Sequence, residues 1–175
     1  MISLFDANFL IILFDPQARI PLDPKTKKPL VERAQDRITF LVSELSNKKE
    51  KIIIPAPALA EFLLIVKESD TFLSEINKKS VFEVVGFNQP EAIELVTRWK
   101  TGGGHKDRTG TWAKLKYDRQ IVAIAKTHRV EVIYSTDQDV GKLASESEII
   151  CKGLADIPLP PPAQLRLKEL PISTT

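Results

Sequence analysis

Short apolar runs punctuate the chain at Ile2–Phe5, Lys51–Pro55, Val81–Val85, Glu131–Ser135 and Ile149–Cys151. Runs of this length, rich in Ile and Val, fit strands buried on both faces of a parallel sheet. Between them the apolar period changes to three and four. Ala34, Ile38, Leu41, Val42 and Leu45 mark an amphipathic helix from Val31 to Asn47. A shorter helix is predicted over Asn8–Phe14, and another over Ala58–Lys67, opened by Pro57. Phe72–Ile76 reads as a brief further helix. Asn88-Gln89-Pro90-Glu91 has the form of a capping box for a helix to Trp99. Ala113–Arg129 is helical, with Leu115, Ile121, Val122, Ile124 and Ala125 toward the core, and Val140–Ser145 gives a turn of helix. Prolines 16, 21, 24 and 29 make residues 15–29 an exposed loop.

This alternation implies right-handed crossovers and an α/β fold, a parallel sheet covered by helices on both faces. The expected domain runs over residues 1–155. Residues 156–175 form a proline-rich tail, extended from Pro158, with a small helix at Leu165–Leu170.

Composition narrows the picture. A chain of 175 residues with ordinary apolar and charged fractions buries a real core. Its one cysteine, Cys151, excludes an internal disulfide or a cysteine-rich metal site and points to a reducing compartment. No apolar run approaches the ~20 residues of a membrane span, and no basic-then-apolar leader opens the sequence. A cytoplasmic protein without membrane association is therefore expected.

The net charge of +2 is unevenly spread. Between Arg98 and Arg119, Arg98, Lys100, Lys106, Arg108, Lys114, Lys116 and Arg119 face only Asp107 and Asp118, an arrangement suited to phosphate. Trp99, Trp112 and Tyr117 interleave with them and would either stack on bases or pack against their own domain. The glycines at 102–104 do not form a phosphate-cradling loop, because no strand precedes them and no Gly-Lys-Ser/Thr follows.

The candidate chemistry is acidic. Asp6 follows the first strand and Asp137 the fourth, at the carboxyl edge where open parallel sheets bind ligands. Glu61 and Asp118 lie near the starts of helices that leave the same edge. Each has a plain structural reading: Asp6 as a helix cap, as Asn8 could also be, and Glu61 as a partner for a helix dipole. Converging carboxylates repel, by about 4 kcal/mol at ~4 Å with an effective dielectric of 20, so a divalent cation is expected among them. Oxygen-only ligands select Mg²⁺ or Mn²⁺, which suits phosphodiester hydrolysis. Ser135 and Thr136 would hold water or a ligand carboxylate. His105, in a loop, and His128, near a helix end, are poor general bases.

The motifs Ile-Ser-Leu-Phe-Asp6-Ala-Asn8, Pro57-Ala-Leu-Ala-Glu61, Asp118-Arg-Gln-Ile-Val-Ala-Ile-Ala and Ile-Tyr-Ser-Thr136-Asp137-Gln-Asp139 resemble, in order and spacing, those of the PIN domain nucleases that include the VapC toxins. The resemblance covers roughly residues 1–155. It implies a three-layer α/β/α PIN-like domain and a metal-dependent endoribonuclease, often dimeric, with an antitoxin protein as partner. Asp6, Glu61, Asp118 and Asp137 match the acidic quartet, Thr136 a frequent hydroxyl position and Asp139 an occasional further acid; Asn8 supports them. Arg98, Lys106, Arg108, Lys114, Lys116 and Arg119 would contact RNA. The proline-lysine loop at 16–29, the basic segment at 100–112 and the tail depart from the usual VapC chain. Two rival readings are a PIN-like module that binds RNA or a partner without catalysis, and a receiver-like phosphoacceptor. The second lacks paired acids after the first strand and a well-placed late lysine.

Overall fold

A computed structural model describes residues 1–15, 17, 18, 20, 22, 29–101 and 112–161, the side chains of 99–101 and 112–116 excepted. The helix expected at Leu165–Leu170, the glycines at 102–104, His105, Lys106, Arg108 and most of the 16–29 loop lie outside the described residues.

Five strands, β1 (Ile2–Phe5), β2 (Lys51–Pro55), β3 (Phe82–Val85), β4 (Val132–Tyr134) and β5 (Ile150–Lys152), form one sheet in the order β3-β2-β1-β4-β5. Every pairing is parallel, with Leu4 opposite both Ile53 and Ile133. The seven described helices are α1 (Ala7–Phe14), α2 (Ala34–Asn47), α3 (Ala56–Ile65), α4 (Ser69–Lys78), α5 (Gln89–Thr101), α6 (Trp112–Thr127) and α7 (Gln138–Glu146). The fold is thus the expected three-layer α/β/α arrangement.

Alternating strand residues feed two cores. Phe5, Ile52, Ile54, Phe82, Val132 and Tyr134 face one cluster with Ile38, Val42 and Leu45 of α2. Leu4, Ile53, Val85 and Ile133 face the other, with Ile121, Val122, Ile124 and Ala125 of α6 and Val140 and Ala144 of α7. The first cluster also takes in Leu154 and Ile157, so packing continues through a single 3-10 turn after β5.

Several elements differ from their expected bounds. α3 begins at Ala56, because proline is tolerated in the first helical turn, where its missing N–H has no partner to lose. α4 is ten residues long instead of five; its first turn is polar and carries no apolar period, while Asp70 and Lys78 complement its dipole. α7 is a full helix from Gln138. Within the loop expected to be exposed, Ala18 and Ile20 pack against the first core, and Leu22 bridges to Pro29.

The capping box before α5 reaches beyond its own helix. Glu91, 3% exposed, accepts the Asn88 N–H at 2.8 Å and the Thr127 hydroxyl at 2.9 Å, with His128 Nε2 3.4 Å away. Burial raises its pKa, but the Asn88 and Thr127 bonds and the His128 charge outweigh it and hold the carboxyl below the usual range. His128 is thereby paired with a carboxylate, which ties α5 to the end of α6.

Candidate active site

Asp6 stands where β1 becomes α1, and both of its carboxylate oxygens are engaged. Oδ1 accepts the Ala7 N–H at 2.7 Å, so Asp6 caps α1, and Asn8 lies inside the helix. Oδ2 accepts the Ser135 hydroxyl at 2.7 Å. A cap needs only the first bond. The second comes from a residue 129 positions away on the neighbouring strand's exit, and only 4% of Asp6 is exposed. One side chain therefore caps α1 and joins the ends of β1 and β4.

Ser135 is the hinge of this arrangement. Its Oγ donates to Asp6 and accepts the Asp137 N–H at 3.0 Å, and its own N–H is fixed to Lys152 O at 3.1 Å. Thr136 is exposed, so the hydroxyl that joins the acids is that of Ser135. Asp137 caps α7, accepting the Asp139 N–H at 2.8 Å; Asp139 is exposed.

The other two acids arrive on helices. Asp118 is 7% exposed in the second turn of α6, one turn before Ile121 and Val122. Glu61 is exposed in the second turn of α3, one turn after Ala58, and thus deeper in its helix than the sequence pattern indicated. Ala7, Ala58, Ile121 and Val140 all belong to the second core. Each is one residue or one helical turn along the chain from one of Asp6, Glu61, Asp118 and Asp137. Alanine at two of these positions lets the helices approach closely.

Asp6 acts electrostatically on Cys151: burial pushes that thiol up, and the charges of Asp6 and Asp156 push it further. Among the described residues, no three His, Cys, Asp or Glu side chains stand close enough together to hold a metal ion. Mg²⁺ commonly takes one or two carboxylates and completes its shell with water and substrate phosphate, so buried carboxylates such as Asp6 and Asp118 fit its chemistry.

The basic segment is only partly described. Arg98 donates through Nε to Glu94 Oε1 at 2.9 Å and through Nη1 to the Ser147 hydroxyl, which ties α5 to the residue after α7. Arg119 is partly buried beside Asp118. Lys114 and Lys116 lie on α6 with undescribed side chains.

No family model and no curated protein matches this sequence. Solved structures do. The chain is similar to one in the structure of VapBC-1 from nontypeable Haemophilus influenzae, at 12% identity over 89% of this chain and 99% of that one, with a TM-score of 0.54. VapBC2 from Rickettsia felis, bound to a promoter DNA fragment, gives 16% identity, coverage of 87% and 98%, and 0.54. DNA-bound VapBC from Salmonella typhimurium gives 13%, 88% and 98%, and 0.51. At such identities the likeness is one of fold, and the shared fold is the three-layer architecture that the PIN-like motifs implied. Among the described residues no helix is long and apolar enough to cross a membrane.

Proposed function

We propose that the protein is a Mg²⁺- or Mn²⁺-dependent endoribonuclease. The observation that carries this reading is the bond from Ser135 to a buried Asp6, which links the ends of β1 and β4 at the carboxyl edge of the sheet. Asp6, Glu61, Asp118 and Asp137 would hold the ion, with Asp139 as a further oxygen donor. When bound, the ion would supply Lewis acidity toward water and the phosphodiester. The chain's own contribution is orientation. Ser135 fixes the Asp6 carboxylate, and the shared core holds the helices that carry Glu61 and Asp118. Lys106, Arg108, Lys114, Lys116 and Arg119 would draw the RNA backbone to that edge.

The three solved structures carry the name VapBC, and the PIN resemblance makes the chain comparable to the toxin component of such a pair. A protein antitoxin and a homodimeric assembly are proposed accordingly, in a cytoplasmic setting.

The test is cleavage of a mixed pool of RNA and single-stranded DNA with Mn²⁺, Mg²⁺ or EDTA. Wild type should cut RNA only with metal. Asp6→Asn should lose at least the roughly 10- to 100-fold that removing a supporting bond at a metal site costs, with its unfolding midpoint little changed. Ser135→Ala should fall about 10- to 100-fold and also lose about 1–3 kcal/mol of stability, since one buried and one partly buried bond go. Equal cleavage by wild type and Asp6→Asn would sink the assignment. No cleavage and no saturable Mn²⁺ binding by calorimetry would transfer the weight to a non-catalytic binding module.

A further inference from the structure

An amphipathic helix normally turns its apolar residues inward. Over its described side chains, residues 89–98, α5 does the reverse. Ile93 is 59% exposed and Val96 46%, whereas the one buried side chain is the carboxylate of Glu91. Glu94 and Arg98, paired with each other, are partly buried. Ala92 and Leu95 are partly buried too, yet no described α5 side chain belongs to either hydrophobic cluster. Each of the other six described helices contributes to at least one. The hydrophobic effect scales with apolar area removed from water, so it does little to hold this segment in place.

Polar contacts hold it instead, at two points. Glu91 accepts the hydroxyl of Thr127, the last residue of α6, at 2.9 Å and lies 3.4 Å from His128 Nε2. Arg98, two turns further along the same face, donates to the hydroxyl of Ser147. Ser147 is the first residue past α7, and its carbonyl accepts Lys126 Nζ of α6 at 3.0 Å. Contacts of this kind are worth little once incomplete, because removing one partner leaves a buried polar group unsatisfied.

We infer that α5 is a releasable strap, latched by Glu91 and Arg98, which opens from α6 as a unit while the sheet and both cores stay folded. Opening breaks a few polar contacts and uncovers little apolar surface, the combination that gives a segment low local stability. The strap braces the far end of the helix that carries Asp118. Its opening frees α6 at Thr127 and leaves the packing of Ile121, Val122, Ile124 and Ala125 intact. Such a strap operates whether or not the acids bind a metal ion.

The experiment is amide hydrogen exchange of the full chain, read by mass spectrometry. In wild type, residues 91–98 should exchange faster than residues 119–127 of α6 and faster still than β1, β2 and β4. Glu91→Ala should speed exchange of 91–98 roughly 5- to 150-fold, the range expected when a buried hydrogen-bonding partner is removed, with the strands unchanged. Glu91→Gln keeps an acceptor oxygen for Thr127 and should fall between wild type and Glu91→Ala. Glu91 also closes the capping box of its own helix, so fraying must be separated from release. Thr127→Val does this: it removes the hydroxyl from the α6 side, leaves the bond to Asn88 in place, and should speed the same residues about 2- to 12-fold. It also decides the question if Glu91→Ala does not fold. Residues 91–98 that exchange no faster than α6 in wild type overturn the strap, because α5 is then held as firmly as the core. Exchange of 91–98 unchanged in Thr127→Val overturns the latch. A rise shared equally by α5 and the strands in either variant overturns release as a unit, since it reports global loss of stability.

Discussion

On one face of the sheet Phe5 packs against Phe9, Phe82 and Tyr134 with ring centroids 5.5–6.5 Å apart, while on the other face the buried residues are Leu, Ile, Val and four alanines. The aromatic face buries large side chains and lies against α2 and α4. The alanine face carries smaller side chains, and Ala7, Ala58, Ile121 and Val140 in it each lie one residue or one turn along the chain from one of the four acids. The difference separates two tasks. Rings fill volume, whereas small side chains take little space between α1, α3 and α6, the helices that follow Asp6 or carry Glu61 and Asp118. α1 and α3 serve both tasks. Each carries an alanine of the second core in its first turn and continues with a phenylalanine of the first.

This contrast can be pressed from either side. Phe82→Ala, in the aromatic core and away from the acids, should cost about 3–5 kcal/mol in urea unfolding, yet the folded fraction should keep its specific activity. Ala58→Leu should cost less, about 1–3 kcal/mol, because overpacking is relieved by a shift of α3. That shift carries Glu61 with it, so cleavage should fall further than the stability loss predicts. If both variants lose activity in proportion to stability, the division of labour is wrong. The smallest effect belongs to Ser3. It is fully buried in β1, and its Oγ has no hydrogen-bond partner among the described residues. Ser3→Ala should be neutral or stabilise by up to about 1 kcal/mol, opposite in sign to Ser135→Ala, where the same atom type is fully used.

The sheet was legible because strands buried on both faces leave continuous apolar runs such as Ile52-Ile53-Ile54, and Asp6 and Asp137 were legible because they end two of those runs. The role of Ser135 was harder to read. It depends on β4 lying beside β1, a neighbour relation created by topology and carried by no local pattern. Arg98 is a similar case. Its charge suggested RNA, but it bonds to Ser147, 49 residues on, and no spacing rule connects the two. Glu61 lies two residues deeper in its helix than expected, because Pro57 marks a helix start without fixing it to the residue. The length of α4 escaped because its opening Ser69-Asp70-Thr71 carries no apolar signal.

The strand order β3-β2-β1-β4-β5 puts the first strand at the centre, and the partner that completes Asp6 comes 129 residues later. During synthesis at about 5–20 residues per second, roughly 6–26 s separate the appearance of Asp6 from that of Ser135. A nascent chain therefore carries Asp6 without its Ser135 partner until β4 has been made. The pairing of β1 with β4 thus sets a clock for folding: the central strand waits for most of the chain before its second neighbour arrives.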